Sequence, residues 1–113
     1  MFGLSVRWSL TSAPDSTLEE LRAYVEDESF ARFANLPGLR FKTWRARAGE
    51  WFEGTYVFAS AEARQKFQDD FTAAADQAPA TLTLGVAPTI EPFEVVAVVR
   101  GPAGFRSAPR FER

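Results

Sequence analysis

Between Leu36 and Ala59 the chain reads LPGLRFKTWRARAGEWFEGTYVFA, a stretch that gathers cations, a carboxylate, a phenol and large aromatics. Arg40 and Lys42 are cations, Glu53 a carboxylate and Tyr56 a phenol, set among the flat apolar surfaces of Trp44, Trp51 and Phe58. A carboxylate partly desolvated among aromatics has a raised pKa and can act as a base. An ion pair with a cross-strand Arg or Lys accounts for Glu53 equally well. Tyr56 can donate a hydrogen bond to a developing phenolate, or be a core tyrosine with its hydroxyl at the rim. With Trp8 and helix-borne Phe residues, these aromatics can line an apolar pocket that stacks on a planar aromatic ligand, with Arg40, Lys42 or Glu53 as its polar anchors. The plain alternative makes the aromatics core and interface, and the basic residues a solvated strand edge.

The absent residue types narrow the chemistry further. With no histidine and no cysteine in 113 residues, a Ser-His-Asp triad, a Cys-His pair, a disulfide framework, a His-ligated metal and a proximal-His haem are all excluded. Carboxylate, Tyr, Lys, Arg and Ser or Thr chemistry remains, and no metal or cofactor is expected. Net charge is −2 with a pI near 5.2, so nothing favours binding to a phosphate backbone and no nucleic-acid partner is expected. The longest aliphatic run, Val95 to Val99, is far short of a membrane span, and no signal segment is evident. The expectation is a soluble, cytoplasmic protein with no membrane partner.

The elements that must position the hairpin are legible from their periods. Phe2, Leu4, Val6, Trp8 and Leu10 alternate with Gly3, Ser5, Arg7 and Ser9, predicting a half-buried first strand. Ser16 with Glu19 fits a capping box opening a helix whose Leu18, Leu21 and Val25 share a face. The apolar stripe then changes phase to Phe30, Phe33 and Leu36, predicting a break or bend near Glu28, and Pro37-Gly38 ends the helix. Strands Leu39 to Arg47 and Trp51 to Ala59 follow, joined by a tight turn at Ala48, Gly49 and Glu50. Ser60 caps a second helix carrying Ala63, Phe67, Phe71, Ala74 and Ala78, with Pro79 just beyond its end and Asp69 and Asp70 toward solvent. Leu82, Leu84 and Val86 predict a short strand, and Phe93 to Arg100 a stronger one.

The order strand, helix, strand, strand, helix, strand is the split βαβ pattern of an α+β, ferredoxin-like fold with a four-stranded, or five-stranded, antiparallel sheet. One domain is expected over residues 1–100, followed by an irregular tail over 101–113 that can clasp a neighbour through Phe105 and Phe111. Val95, Val96, Ala97, Val98 and Val99 make the last strand apolar on both sides, so the sheet face away from the helices needs a cover, most simply a second copy.

The run PGLRFKTWRARAGEWFEGTYVFASAEARQKF resembles the YdhR-like monooxygenases, a branch of the dimeric α+β barrel superfamily that includes the antibiotic-biosynthesis monooxygenases. The resemblance rests on a helix ending in Pro-Gly, on Lys42 and Trp44 in an aromatic-Lys-x-Trp pattern, on Glu53-Gly54 followed by Tyr56-x-Phe58, and on a Ser-led amphipathic helix. It spans roughly residues 2–100. It implies a homodimer with facing sheets and a pocket between sheet and helices in each subunit. It also implies a cofactor-independent oxygenation of a planar phenolic or quinol-like substrate by O2. The histidine common in such pockets is missing here.

On this reading Glu53 and Tyr56 are the catalytic candidates, and Trp8, Arg40, Lys42, Trp44, Trp51 and Phe58 the substrate-binding ones. An isomerase or cyclase of a polyketide-like or lactone substrate, and a non-catalytic ligand-binding dimer, are the alternatives on the same fold. Which hairpin face lines the pocket depends on register. The expectation places Phe41 toward the helices and Trp44 toward the barrel.

Overall fold

A computed structural model describes residues 1–105. Ten elements follow in order: β1 (Phe2–Ser9), α1 (Thr17–Tyr24), a π-helical turn (Val25–Ser29), α2 (Phe30–Ala34), β2 (Leu39–Arg47), β3 (Trp51–Phe58), α3 (Ala61–Ala74), a 3₁₀ turn (Ala75–Gln77), α4 (Pro79–Leu84) and β4 (Thr89–Glu94). The sheet order is β2-β3-β1-β4 with every pair antiparallel, a ferredoxin-like α+β arrangement. No helix among the described residues is long and apolar enough to cross a membrane.

Strand alternation divides the sheet into two unlike faces. Leu4, Val6 and Trp8 of β1 pair with Tyr56, Gly54 and Phe52 of β3, and this face carries the buried core together with Leu21, Phe33, Phe67 and Ala80 from the helices. Burying each large apolar side chain there contributes about 1.5–3 kcal/mol. The opposite face presents Ser5, Arg7, Thr43, Arg45, Trp51, Glu53, Thr55 and Phe93, and no helix among the described residues covers it. Phe105 stacks on Phe41 there at 6.5 Å between ring centres. The tail thus touches its own sheet at Phe105, while Phe111 lies outside the described residues.

The phase change in the first helix is a π-helical turn. One extra residue in the turn Val25–Ser29 rotates the apolar stripe, so that Phe30 and Phe33 continue the face started by Leu21 without a break in the helix. Ser60 caps α3 as expected, its hydroxyl accepting the Ala63 N–H at 3.1 Å. Gly49 closes the hairpin turn at φ 74°.

Three expectations fail, each for a local reason. Ser16 does not form the capping box. It has helical backbone angles and its hydroxyl makes no cap bond, because a turn closed by Thr17 N–H to Pro14 C=O already leads into the helix. Residues 82–86 are not a strand: Pro79 stands in the first turn of α4 and Gly85, at φ 71°, ends it. Trp8 fixes that helix, its indole N–H donating to Thr81 Oγ1 at 3.0 Å. Finally, β4 spans Thr89–Glu94 and not Phe93–Arg100. The β1 ladder ends at the Phe2–Glu94 pair, and after Val95 N–H bonds Met1 C=O no strand remains to pair with. Val96 and Val99 are 97% and 90% exposed.

Candidate active site

The site is set by one irregularity in β2. Leu39 pairs with Phe58, but the next paired residue is Phe41, opposite Val57, so Arg40 is the extra residue of a bulge. Every later residue of β2 is thereby moved to the other face. Lys42 comes opposite Tyr56 and Trp44 opposite Gly54, both toward the helices, while Phe41 turns to the open face. The expected assignment of Phe41 to the helix side and Trp44 to the barrel side is reversed.

Beneath α1 and α2 this places Lys42 in a cage of three rings. Its Nζ lies 3.5 Å from the centre of the Phe33 ring, 4.3 Å from Tyr56 and 4.4 Å from Trp44. Phe30 flanks Trp44 at 6.3 Å and Phe67 flanks Tyr56 at 4.7 Å. Gly54 leaves the room, since a Cβ there would stand 3.1 Å from Lys42 Cε and 3.2 Å from the Tyr56 hydroxyl. An inner cavity of about 50 Å³ lies here, bounded also by Trp8, Ser29, Arg32 and Phe71. Lys42 and Trp44 also line a groove of about 800 Å³ running outward between α1 and β2 past Arg22, Glu26 and Arg40.

Lys42 has no hydrogen bond or ion pair among the described residues. Burial, and then repulsion from Arg32, hold its pKa well below the ordinary 10.5. The ring faces attract an ammonium by about 0.5–2 kcal/mol, whereas desolvating a charge costs several kcal/mol. Desolvation wins, and Arg32 adds to it. Tyr56 is shifted the other way: burial raises its pKa, partly offset by Arg32 and reinforced by Tyr24. It stays protonated and able to donate.

Glu53 tells a different story on the other face. It is 2% exposed and accepts from Arg45 Nε at 2.6 Å, Arg7 Nε at 2.7 Å, Thr55 Oγ1 at 2.8 Å and Ser5 Oγ at 3.3 Å. Arg7 and Arg45 are its cross-strand neighbours on β1 and β2. Burial alone would raise its pKa, but the bonds from Arg45, Thr55 and Arg7 outweigh it, and the pKa is lowered. The expectation of a raised pKa and a base at Glu53 is corrected to the ion-pair alternative. Trp51 shares this face, under Arg7 at 4.1 Å and Arg45 at 5.3 Å.

Of the sequence-derived candidates, the structure brings together Trp8, Lys42, Trp44 and Tyr56. Arg40 stands at the groove rim, and Phe58 lies deeper in the core against Phe67. Glu53 and Trp51 are separated from them by the sheet. Arg32 was missed. Its only sequence signal is a cation directly before Phe33 on the apolar stripe, and its ring contact with Phe33 at 5.0 Å is what brings it in. No group of three or more acidic residues able to hold a metal ion occurs among the described residues.

No protein-family model and no curated protein matches the chain. Solved structures do. A protein of unknown function from Nitrosomonas europaea, NE2512, is 25% identical, with a TM-score of 0.61 over 91% of this chain and 95% of its own. A monooxygenase from Streptomyces coelicolor, ActVA-Orf6, solved with nanaomycin D, is 14% identical, with a TM-score of 0.66 over 88% and 91%. A dimeric ferredoxin-like protein from an uncultured marine organism is 15% identical, with a TM-score of 0.55 over 87% and 96%. The chain therefore shares a ferredoxin-like fold with these structures.

Proposed function

We propose that this chain is a small YdhR-like monooxygenase that oxidises a planar phenolic or quinol-like molecule with O2, needs no metal or flavin, and works as a homodimer. The observation that carries this is the aromatic recess around Lys42, Trp44 and Tyr56, opening into a groove large enough for a multi-ring ligand. The likeness to a monooxygenase solved with nanaomycin D agrees with a flat organic ligand.

An oxygenation of this kind asks three things of the protein. Trp44 and the Phe residues give a flat surface to stack on and keep water out. The substrate hydroxyl must lose its proton, since the anion gives up an electron to O2 far more readily than the phenol does. Tyr56, held protonated, and the Arg32 cation stabilise the charge that develops. One oxygen atom then enters the product and the other leaves as water, all electrons coming from the substrate. The second copy has its place on the open face, where Phe41, Trp51 and Phe93 lie and where Val96 and Val99 project beyond β4.

Oxygen uptake by metal-free protein with a panel of anthrones and quinols tests the reading. Turnover is expected, with Trp44→Ala lowering kcat/KM at least tenfold. No uptake across the panel overturns it. Turnover of the same compounds without O2 would favour the isomerase or cyclase, and ligand binding without any turnover the non-catalytic dimer.

A further inference from the structure

We propose that Lys42 is the proton acceptor of this site, its amine set among three ring faces with no carboxylate beside it so that it can take the hydroxyl proton of a weakly acidic ligand. The ligand half of this proposal rests on the phenolic reading above. The amine half rests on the chain alone.

The chain contains only two lysines, and they are treated oppositely. Lys66 is on the solvent side of α3 with Asp70 at 2.8 Å, as an ordinary ammonium should be. Lys42 faces rings on three sides and no carboxylate accepts from it. The hairpin carboxylate and the groove carboxylate are otherwise engaged. Glu53 is on the far face within its four donors, and Glu26, which lines the groove, has contacts of its own. The other groups facing the amine are Arg32 from α2, Tyr24 from α1 and Tyr56 from β3, with Arg22 and Arg40 along the groove. That set is cationic or neutral, so it disfavours a proton on Lys42 while the site is empty.

A phenol reverses the balance. Its O–H proton moves to Nζ, no electrons change hands, and the ammonium so formed has a phenolate beside it and three ring faces around it. Arg32 and the Tyr56 hydroxyl are placed to share the phenolate charge. Glu53 cannot do this work from the other side of the sheet. The inner cavity, lined by Lys42, Tyr56 and Arg32, gives the ligand oxygen a place beside Nζ.

The two lysines make the test direct. With lysine ¹³C-labelled at Cε, the full-chain protein gives two signals to follow against pH. The expected result is one signal titrating near 10.5, lost in Lys66→Met, and one titrating well below it, lost in Lys42→Met. If both titrate together at the ordinary value, the proposal is overturned. The second measurement uses 1-naphthol, whose absorbance distinguishes phenol from phenolate. Bound to the native protein at neutral pH it should show the phenolate spectrum, and bound to Lys42→Met the phenol spectrum. A phenolate spectrum that survives Lys42→Met, or a phenol spectrum in the native protein, overturns the base role. No binding of naphthol to native protein would instead count against the phenolic ligand, leaving the amine to be judged by its titration.

Discussion

The two faces of the β2-β3 hairpin handle a buried charge in opposite ways. On the open face Glu53 has four donors, two of them arginines, and its charge is held in place. On the helix face Lys42 has rings and a neighbouring cation, and its charge is pushed away. The two residues come from paired strands of one hairpin, and burial acts against the charge of each. The difference teaches that burial does not by itself create a reactive group. What decides is whether the same fold supplies the counter-charge, and here it does so on one face only.

The largest test of this contrast removes the satisfied charge. Glu53→Gln leaves Arg7 and Arg45 facing an amide that cannot neutralise them, and the loss of charge-assisted bonds at a buried site should cost about 2–4 kcal/mol of stability by denaturant titration. The pH dependence has a definite sign. Because the folded pKa is lowered, Glu53 contributes stability above the ordinary 4.5 that is lost as pH falls through the folded value, and the Gln variant should lack that acid-side loss. A variant as stable as the native chain would break the comparison from the carboxylate side.

A smaller effect is expected from closing the space between the amine and the phenol. Gly54→Val brings branched carbon against Lys42 Cε and the Tyr56 ring, and overpacking of this kind costs about 1–3 kcal/mol. It should also weaken binding of 1-naphthol more than it shifts the Glu53 side. Equal loss of stability and unchanged binding would show that the recess is not where the ligand sits.

The smallest effect has the opposite sign. Lys42→Met keeps the apolar stem among the rings and removes the group that dislikes its surroundings, so the variant should be about 0.5–1.5 kcal/mol more stable at neutral pH. The folded pKa lies below the ordinary 10.5, so between the two values the unfolded chain holds more protons and native stability rises with pH. The variant should lose that alkaline gain. A destabilised Lys42→Met would mean the cage holds an ammonium after all.

The first strand, the hairpin, both long helices and the phase change near Glu28 were legible because alternation and helical spacing are local properties of the chain. Residues 79–100 were not. Leu82, Leu84 and Val86 alternate over too few positions to outweigh Pro79 and Gly85, and a Val-rich run forms a strand only where another strand lies beside it. The composition of the site was legible as well, in that Trp8, Lys42, Trp44 and Tyr56 were all among the candidates. Their separation from Glu53 and Trp51 was not, because a single extra residue at Arg40 reverses every side chain after it.

Sequence by itself determined the element types, the aromatic wealth of the hairpin and the chemistry left open to a chain without histidine or cysteine, since these follow from side-chain identity and period. Only the tertiary structure decided which face each hairpin residue occupies, that Glu53 is neutralised and that Lys42 is not. Register and bulge are set by pairing between distant strands, and a pKa is set by what the fold brings within a few ångströms.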